Sequence, residues 1–134
     1  MASSNLIIDT DIVIDFLRHQ SNILPQAVTQ YQCHLTAISL FELQMGAIRS
    51  EQQTQRFSEI LQHFSVLPFN ANAARQAATL ARQLQQTGQM IGLPDTLIAG
   101  ICLSQNIPLL TRNTRHYERV TGLQIITPNN LTLI

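Results

Sequence analysis

The sequence predicts an α/β domain built on a mainly parallel sheet covered on both faces, and three observations carry that expectation. Short β-branched apolar runs alternate with amphipathic helical stretches along the chain. The strand candidates are apolar throughout rather than alternating, as strands buried on both faces are. The 134 residues are 45% hydrophobic and only 12% charged, enough for one core without cross-links.

Leu6-Ile7-Ile8 reads as a buried strand that stops at Asp9, and from Asp11 the pattern turns helical, with Ile12, Phe16 and Leu17 on one side. Pro25 suits the first position of a second short helix, and His34-Leu35-Thr36 forms the second strand. Ser39-Leu40-Phe41-Glu42 fits a capping box opening a helix that runs to about Arg49. Phe57, Ile60, Leu61 and Phe64 recur at helical spacing, and Val66-Leu67-Pro68-Phe69 follows as a strand. From Asn72 a long helix carries Ala74, Ala77, Ala78, Ala81 and Leu84, with Gly88 shortly after its end. Pro94-Asp95 opens a helix that Leu97, Ile98, Ile101, Cys102 and Leu103 make apolar almost all round, hence central. Pro108–Thr111 and Leu123–Ile126 supply the last two strands. No linker or repeat interrupts residues 1–134, which read as a single domain.

In a parallel α/β sheet the site lies at the carboxyl ends of the strands. That rule singles out Asp9 after the first strand and Thr111, Arg112 and Asn113 after the fourth. Eight acids balance eight bases, so no overall field announces a nucleic-acid partner. All the bases are arginine, and the absence of lysine excludes mechanisms that need one. Arg112, Arg115 and Arg119 form the only basic cluster, for which a solvated loop is the ordinary reading. Cys33 and Cys102 lie far apart in no metal or redox spacing and read as buried reduced thiols. No apolar run approaches the roughly 20 residues of a membrane span, and the first five residues resemble no export signal. A cytoplasmic protein without a membrane partner is expected.

Three acids stand out of place. Asp15, Glu51, Glu59 and Glu118 fall where solvent-facing residues belong, whereas Asp9 ends an apolar strand, Glu42 lies among Leu40, Phe41 and Leu43, and Asp95 begins the most apolar helix. Each has a plain structural explanation: a helix cap for Asp9, the third capping-box position for Glu42, and a helix-dipole partner for Asp95. Their shared apolar context favours another. Converging buried carboxylates repel unless a cation sits among them. Magnesium or manganese suits carboxylate ligands plus water.

At this point the residues resemble a family. The segment Leu6–Leu17 looks like the opening strand and first acid of PIN domains, and Ser39–Ala47 looks like their second-acid helix. Gly92–Gly100 resembles the third-acid segment, and Leu109–Val120 resembles the closing motif of VapC-type toxins. The resemblance implies a three-layer α/β/α fold, a homodimer, cleavage of RNA, and inhibition by a small cognate antitoxin lying across the site. It makes Asp9, Glu42 and Asp95 the metal-binding catalytic acids, with Thr111 and Asn113 on the rim. The chain departs from the pattern where many relatives carry a fourth acid, because Asn113 and His116 stand at the two positions concerned. Asp11 and Glu118 are both open as substitutes, and a second metal position is in doubt.

On that resemblance, a metal held by Asp9 and Asp95 activates water for direct attack on the RNA phosphodiester. Glu42 completes the shell or orients water, and Arg112 and Arg115 grip flanking phosphates. The alternative is a weak or inactive PIN-like module that binds RNA or protein. Asp9-Thr10-Asp11-Ile12-Val13 also fits the nucleophile motif of haloacid-dehalogenase-like phosphatases, but the lysine and late acidic pair usual there are missing. A phosphate-receiver domain also lacks its lysine, and dinucleotide-binding and P-loop readings lack their glycine patterns.

Overall fold

The computed structural model describes residues 4–131. Strands β1 (Asn5–Ile8), β2 (Gln32–Thr36), β3 (Phe64–Leu67), β4 (Leu109–Leu110) and β5 (Ile125–Ile126) form one sheet in the order β3-β2-β1-β4-β5. Every neighbouring pair is parallel, so all the carboxyl ends reach the same edge. The helices are α1 (Thr10–Leu17), α2 (Ile23–Gln30), α3 (Ala37–Glu42), α4 (Glu51–Leu61), α5 (Ala71–Gln86), α6 (Leu93–Gln105) and α7 (Thr114–Tyr117). From β1 the chain builds outward to β2 and β3, then returns to lay β4 on the other side of β1. The winding direction therefore reverses between β1 and β4, which opens a crevice where those two strands end.

The pleat divides the apolar residues between two cores. Leu6 and Ile8 of β1 join Cys33, Leu35 and Leu110 beneath α1, α2 and α4, whereas Ile7 and Leu109 face α5 and α6. Because both faces are covered, β1 is apolar at Leu6, Ile7 and Ile8, all fully buried. The expected three-layer α/β/α architecture is the one observed.

Several elements differ from the sequence expectation in their bounds. The helix assigned to the Ser39 capping box begins earlier, with Thr36 as its cap accepting from the Ser39 amide at 3.0 Å. Ser39 is therefore inside the helix and fully buried, and Glu42 is no capping-box partner. Past Glu42 the helix loosens into a π-turn, Leu43–Ala47, and ends at Ile48. Pro25 is the third residue of α2 rather than the first. Phe64 leaves the helical series to open β3 opposite Cys33, since sheet pairing outweighs periodicity there, although its ring still packs on the same core. Pro68 and Phe69 lie outside β3, and a proline offers the ladder no donor. Pro108 precedes β4 for the same reason, although its carbonyl still accepts from Ile7 at 2.9 Å. In the last strand only Ile125 and Ile126 are paired.

Asn70 caps α5 through a 3.0 Å bond from the Ala73 amide. Its buried stripe is Ala73, Ala77, Leu80 and Leu84, while Ala78 is exposed. The stripe is set by the partner helix. A Cβ at Gly100 of α6 would lie 2.7 Å from the Ala77 Cβ and 2.8 Å from the Ala73 carbonyl, so the helices touch nearly backbone to backbone. That contact seats α6, and with it Asp95 in its first turn.

Gly100→Ala should accordingly cost about 1–3 kcal/mol in urea melts, as overpacking does. Gly46, whose added Cβ meets nothing within 4 Å, is the control and should tolerate alanine without loss. Equal stability of the two variants would contradict the close-packed reading.

Candidate active site

The central strand delivers Asp9 to the crevice. Ile8 is the last residue of β1, and the chain turns directly into α1, leaving Asp9 extended as the helix cap. Its Oδ1 accepts from the Thr10 amide at 2.9 Å, and its Oδ2 accepts from the Thr111 hydroxyl at 2.7 Å. Thr111 follows β4, so this bond crosses the switch point itself. Asp9 is only 4% exposed. Burial is the main reason its carboxyl is pushed up to about 7, with the charges of Asp11 and Asp95 adding to it and the bonds from Thr111 and Thr10 opposing it.

Asp95 enters from the first turn of α6, and Tyr117 connects it to Asp9. The fully buried Tyr117 places its hydroxyl 3.1 Å from Asp95 Oδ1 and 3.5 Å from Asp9 Oδ1. Burial, then the nearby charges, drive this phenol far above its ordinary range, so it stays protonated and donates to a carboxylate. The other Asp95 oxygen faces His116 Nδ1 at 3.2 Å and Asn113 Nδ2 at 3.4 Å.

Glu42 is held across the start of α1. Thr10 Oγ1 lies 2.8 Å from both Glu42 Oε1 and Ser39 Oγ, and Ser39 Oγ lies 3.2 Å from Thr36 Oγ1. The single Thr10 proton serves the carboxylate, Ser39 donates to Thr10, and Thr36 donates to Ser39. That hydroxyl relay fixes Glu42 beside the residue that follows Asp9. The three expected acids thus gather as a linked Asp9–Tyr117–Asp95 unit with Glu42 tethered next to it. Among the described residues no group of three or more His, Cys, Asp or Glu side chains closes into a ready-made metal cage. The donor chemistry still fits a divalent cation. Neither Asp9 nor Asp95 is paired with an arginine among the described residues, and one or two carboxylates plus water and phosphate suffice for magnesium or manganese.

The arginine cluster separates into three fates. Arg112 forks onto Asp15, with Nε 2.7 Å from Oδ2 and Nη2 3.2 Å from Oδ1. Asp15 is therefore not the solvent-facing residue its helical position suggests; its side chain is 13% exposed, because α1 packs beside the loop after β4. The Arg112 amide also donates to Asp11 Oδ2 at 3.2 Å, which leaves Asp11 Oδ1 buried without a protein partner. Burial raises the Asp11 carboxyl as well, against the pull of Arg112. Arg119 reaches the Met90 carbonyl at 3.1 Å, and Arg115 is exposed. Glu118 is exposed too, so of the two candidate substitutes for the fourth acid only Asp11 turns inward.

Thr10, Ser39 and Tyr117 escape sequence reasoning. The signal for Tyr117 is that a buried tyrosine must satisfy its hydroxyl, but nothing in its surroundings shows that the ring points at two acids.

An all-parallel α/β sheet with acids gathered at its switch point is the architecture of a hydrolase acting on phosphate esters, and the known proteins make the class specific. The PIN domain profile matches residues 6–123. The chain belongs to the PIN domain family. It is 33% identical to "Ribonuclease VapC" of Rickettsia bellii, over 91% of this chain and 95% of that one. It is 28% identical to the "tRNA(fMet)-specific endonuclease VapC" of Shigella flexneri, over 87% and 92%. Among solved structures, VapBC-1 from nontypeable Haemophilus influenzae superposes with a TM-score of 0.80 at 27% identity, covering 93% of this chain and 98% of that one. The chain is therefore a VapC-type endoribonuclease, a hydrolase of a metal-dependent class. None of the described helices is long and apolar enough to cross a membrane.

The raised Asp9 carboxyl has a measurable consequence. In the unfolded chain it titrates near 3.8, and in the folded protein near 7, so between those values the native state binds the extra proton. Its contribution to stability is complete below 3.8 and is lost as the pH rises through about 7. Urea melts of EDTA-treated protein should show stability falling across that window. Asp9→Asn should shallow the slope without abolishing it, because Asp11 is raised in the same sense. A slope unchanged by Asp9→Asn would refute the assignment.

Proposed function

We propose that this VapC-type endoribonuclease hydrolyses RNA phosphodiester bonds at the crevice between the ends of β1 and β4, with Asp9, Glu42 and Asp95 as its working acids. The observation that supports this reading most is the Asp9–Tyr117–Asp95 unit: two carboxylates bridged by one hydroxyl at the switch point, neither neutralised by an arginine. Asp9 and Asp95 would hold Mg2+ or Mn2+. Such an ion supplies Lewis acidity, polarising the phosphate and making water a better nucleophile near neutral pH.

The chain's own residues do the rest. Thr111 and Thr10 aim Asp9 by donating to separate oxygens, and Tyr117 holds Asp95 without adding charge. Glu42, steadied by Thr10, stands where it can orient the attacking water and accept its proton. Asn113 is held by its own amide, which donates to the Thr111 hydroxyl at 2.9 Å, and it lines the rim beside Asp95. Arg115, exposed on the same loop, is the better placed arginine for a flanking phosphate. Arg112 spends two of its donors on Asp15 and contributes mainly by locking α1 to that loop.

The partners follow from the relatives' printed descriptions. VapBC-1 is by its name a two-component assembly, and "Toxin-antitoxin complex from Klebsiella pneumoniae" describes another solved neighbour. We infer that this chain likewise pairs with a small antitoxin, works as a homodimer in the cytoplasm, and forms one domain over its length.

Purified protein should cleave a panel of structured small RNAs only with magnesium or manganese, and EDTA should abolish cleavage. Asp95→Asn should reduce the rate by about a hundredfold or more while the protein stays folded. Expression of the parent alone should arrest bacterial growth, and expression of Asp9→Asn should not. Cleavage that persists in EDTA, or at parental rate in Asp95→Asn, would sink the proposal and leave the binding-module reading.

A further inference from the structure

His116 sits against Asp95 in a manner the reading above does not use. Its Nδ1 is 3.2 Å from Asp95 Oδ2 and 3.1 Å from Asn113 Nδ2, while Asn113 Nδ2 is itself 3.4 Å from Asp95 Oδ2. The three polar atoms form a small triangle on the loop-facing side of the carboxylate, and two proton arrangements satisfy it. In one, the imidazole donates from Nδ1 to Asp95. In the other, the Asn113 amide donates to both neighbours, so Nδ1 and Oδ2 present two lone pairs side by side.

The second arrangement is a metal-binding edge. Adjacent ligands of an octahedral ion, each about 2.1 Å from the metal, stand about 3 Å apart, close to the 3.2 Å observed between Nδ1 and Oδ2. The remaining geometry agrees. The His116 side chain is 41% exposed and that of Asp95 24%, so the edge is open to an ion and to water. The Tyr117 hydroxyl occupies the opposite Asp95 oxygen, Oδ1, which leaves Oδ2 for this pairing.

Resting on the metal-dependent reading of the acid site, we propose that His116 is a nitrogen ligand beside Asp95, and that the site therefore prefers manganese to magnesium. Imidazole favours the later first-row metals, whereas magnesium takes oxygen ligands and gives up its water reluctantly. A carboxylate-only site has no such bias. Asn113 is the positioning residue: by donating to Nδ1 and Oδ2 it keeps both lone pairs on the same side until an ion arrives.

The test reads the bound ion rather than catalysis. Mn2+ is added to the wild-type protein, and electron spin-echo envelope modulation is recorded for the bound ion. A directly coordinated imidazole gives nitrogen modulation, which His116→Gln should remove while circular dichroism shows the fold retained. Calorimetric titrations with Mn2+ and Mg2+ complete the set. His116→Gln should weaken Mn2+ binding by about tenfold or more and leave Mg2+ nearly unchanged, and His116→Asp should narrow the preference between the two metals. Bound Mn2+ without nitrogen modulation, or equal losses for both metals in His116→Gln, overturns the ligand role and leaves the acid site standing. Failure of wild-type protein to bind either metal overturns both.

Discussion

The burial of one carboxylate at the end of the central strand is the constraint around which the molecule is arranged. Asp9 follows three fully buried residues and is itself nearly closed off from solvent. An ionised carboxylate in such a place is stable only with donors aimed at it. Those donors come from both sides of the switch point: the Thr10 amide from the start of α1 and the Thr111 hydroxyl from the end of β4. The two bonds do not fully compensate burial, which is why the carboxyl stays well above its ordinary range. The protein therefore stores unfavourable charge where a cation brings relief, an arrangement that costs stability and serves binding.

The second acid reaches the first through packing far from the site. Gly100 lets α6 lie almost on the backbone of α5, and that approach fixes where the first turn of α6 emerges. Tyr117 then closes the gap, its ring in the core beneath α6 and its hydroxyl between the two carboxylates. A tyrosine suits this place because it spans from apolar interior to polar rim without adding a charge. Glu42 is carried by a different device, a relay of three hydroxyls leading from the end of β2. Its helix gives way to a π-turn immediately afterwards, a feature often found beside functional sites.

The loop after β4 shows how one stretch of sequence divides its labour. Arg112 is turned back onto Asp15 and ties the loop to α1. Asn113 and His116 turn toward Asp95, Tyr117 enters the core, and Arg119 binds carbonyls beyond the end of α5. A cluster of arginines that reads as one basic patch is thus one structural clamp, one exposed cation and one loop anchor. The difference lies in long-range neighbours, since Asp15 and Met90 are far from the cluster in sequence.

Much of the architecture was determined by local pattern. The apolar run Leu6–Ile8, the helical spacing around Phe57, and the near-continuous apolar surface after Pro94 are properties of neighbouring residues, and they specify a buried parallel sheet between helical layers. The same local contrast, an acid in an apolar setting, was enough to single out Asp9, Glu42 and Asp95. What tertiary structure alone decided was how those residues meet. Pairing with β2 took Phe64 out of its helix, and the Thr36 hydroxyl rather than Ser39 became the helix cap. The fold also chose between Asp11 and Glu118, turning the first inward and leaving the second exposed. Bonds such as Thr111 to Asp9 join residues about a hundred positions apart. Their geometry is set by the packing of whole layers, which no window of sequence contains.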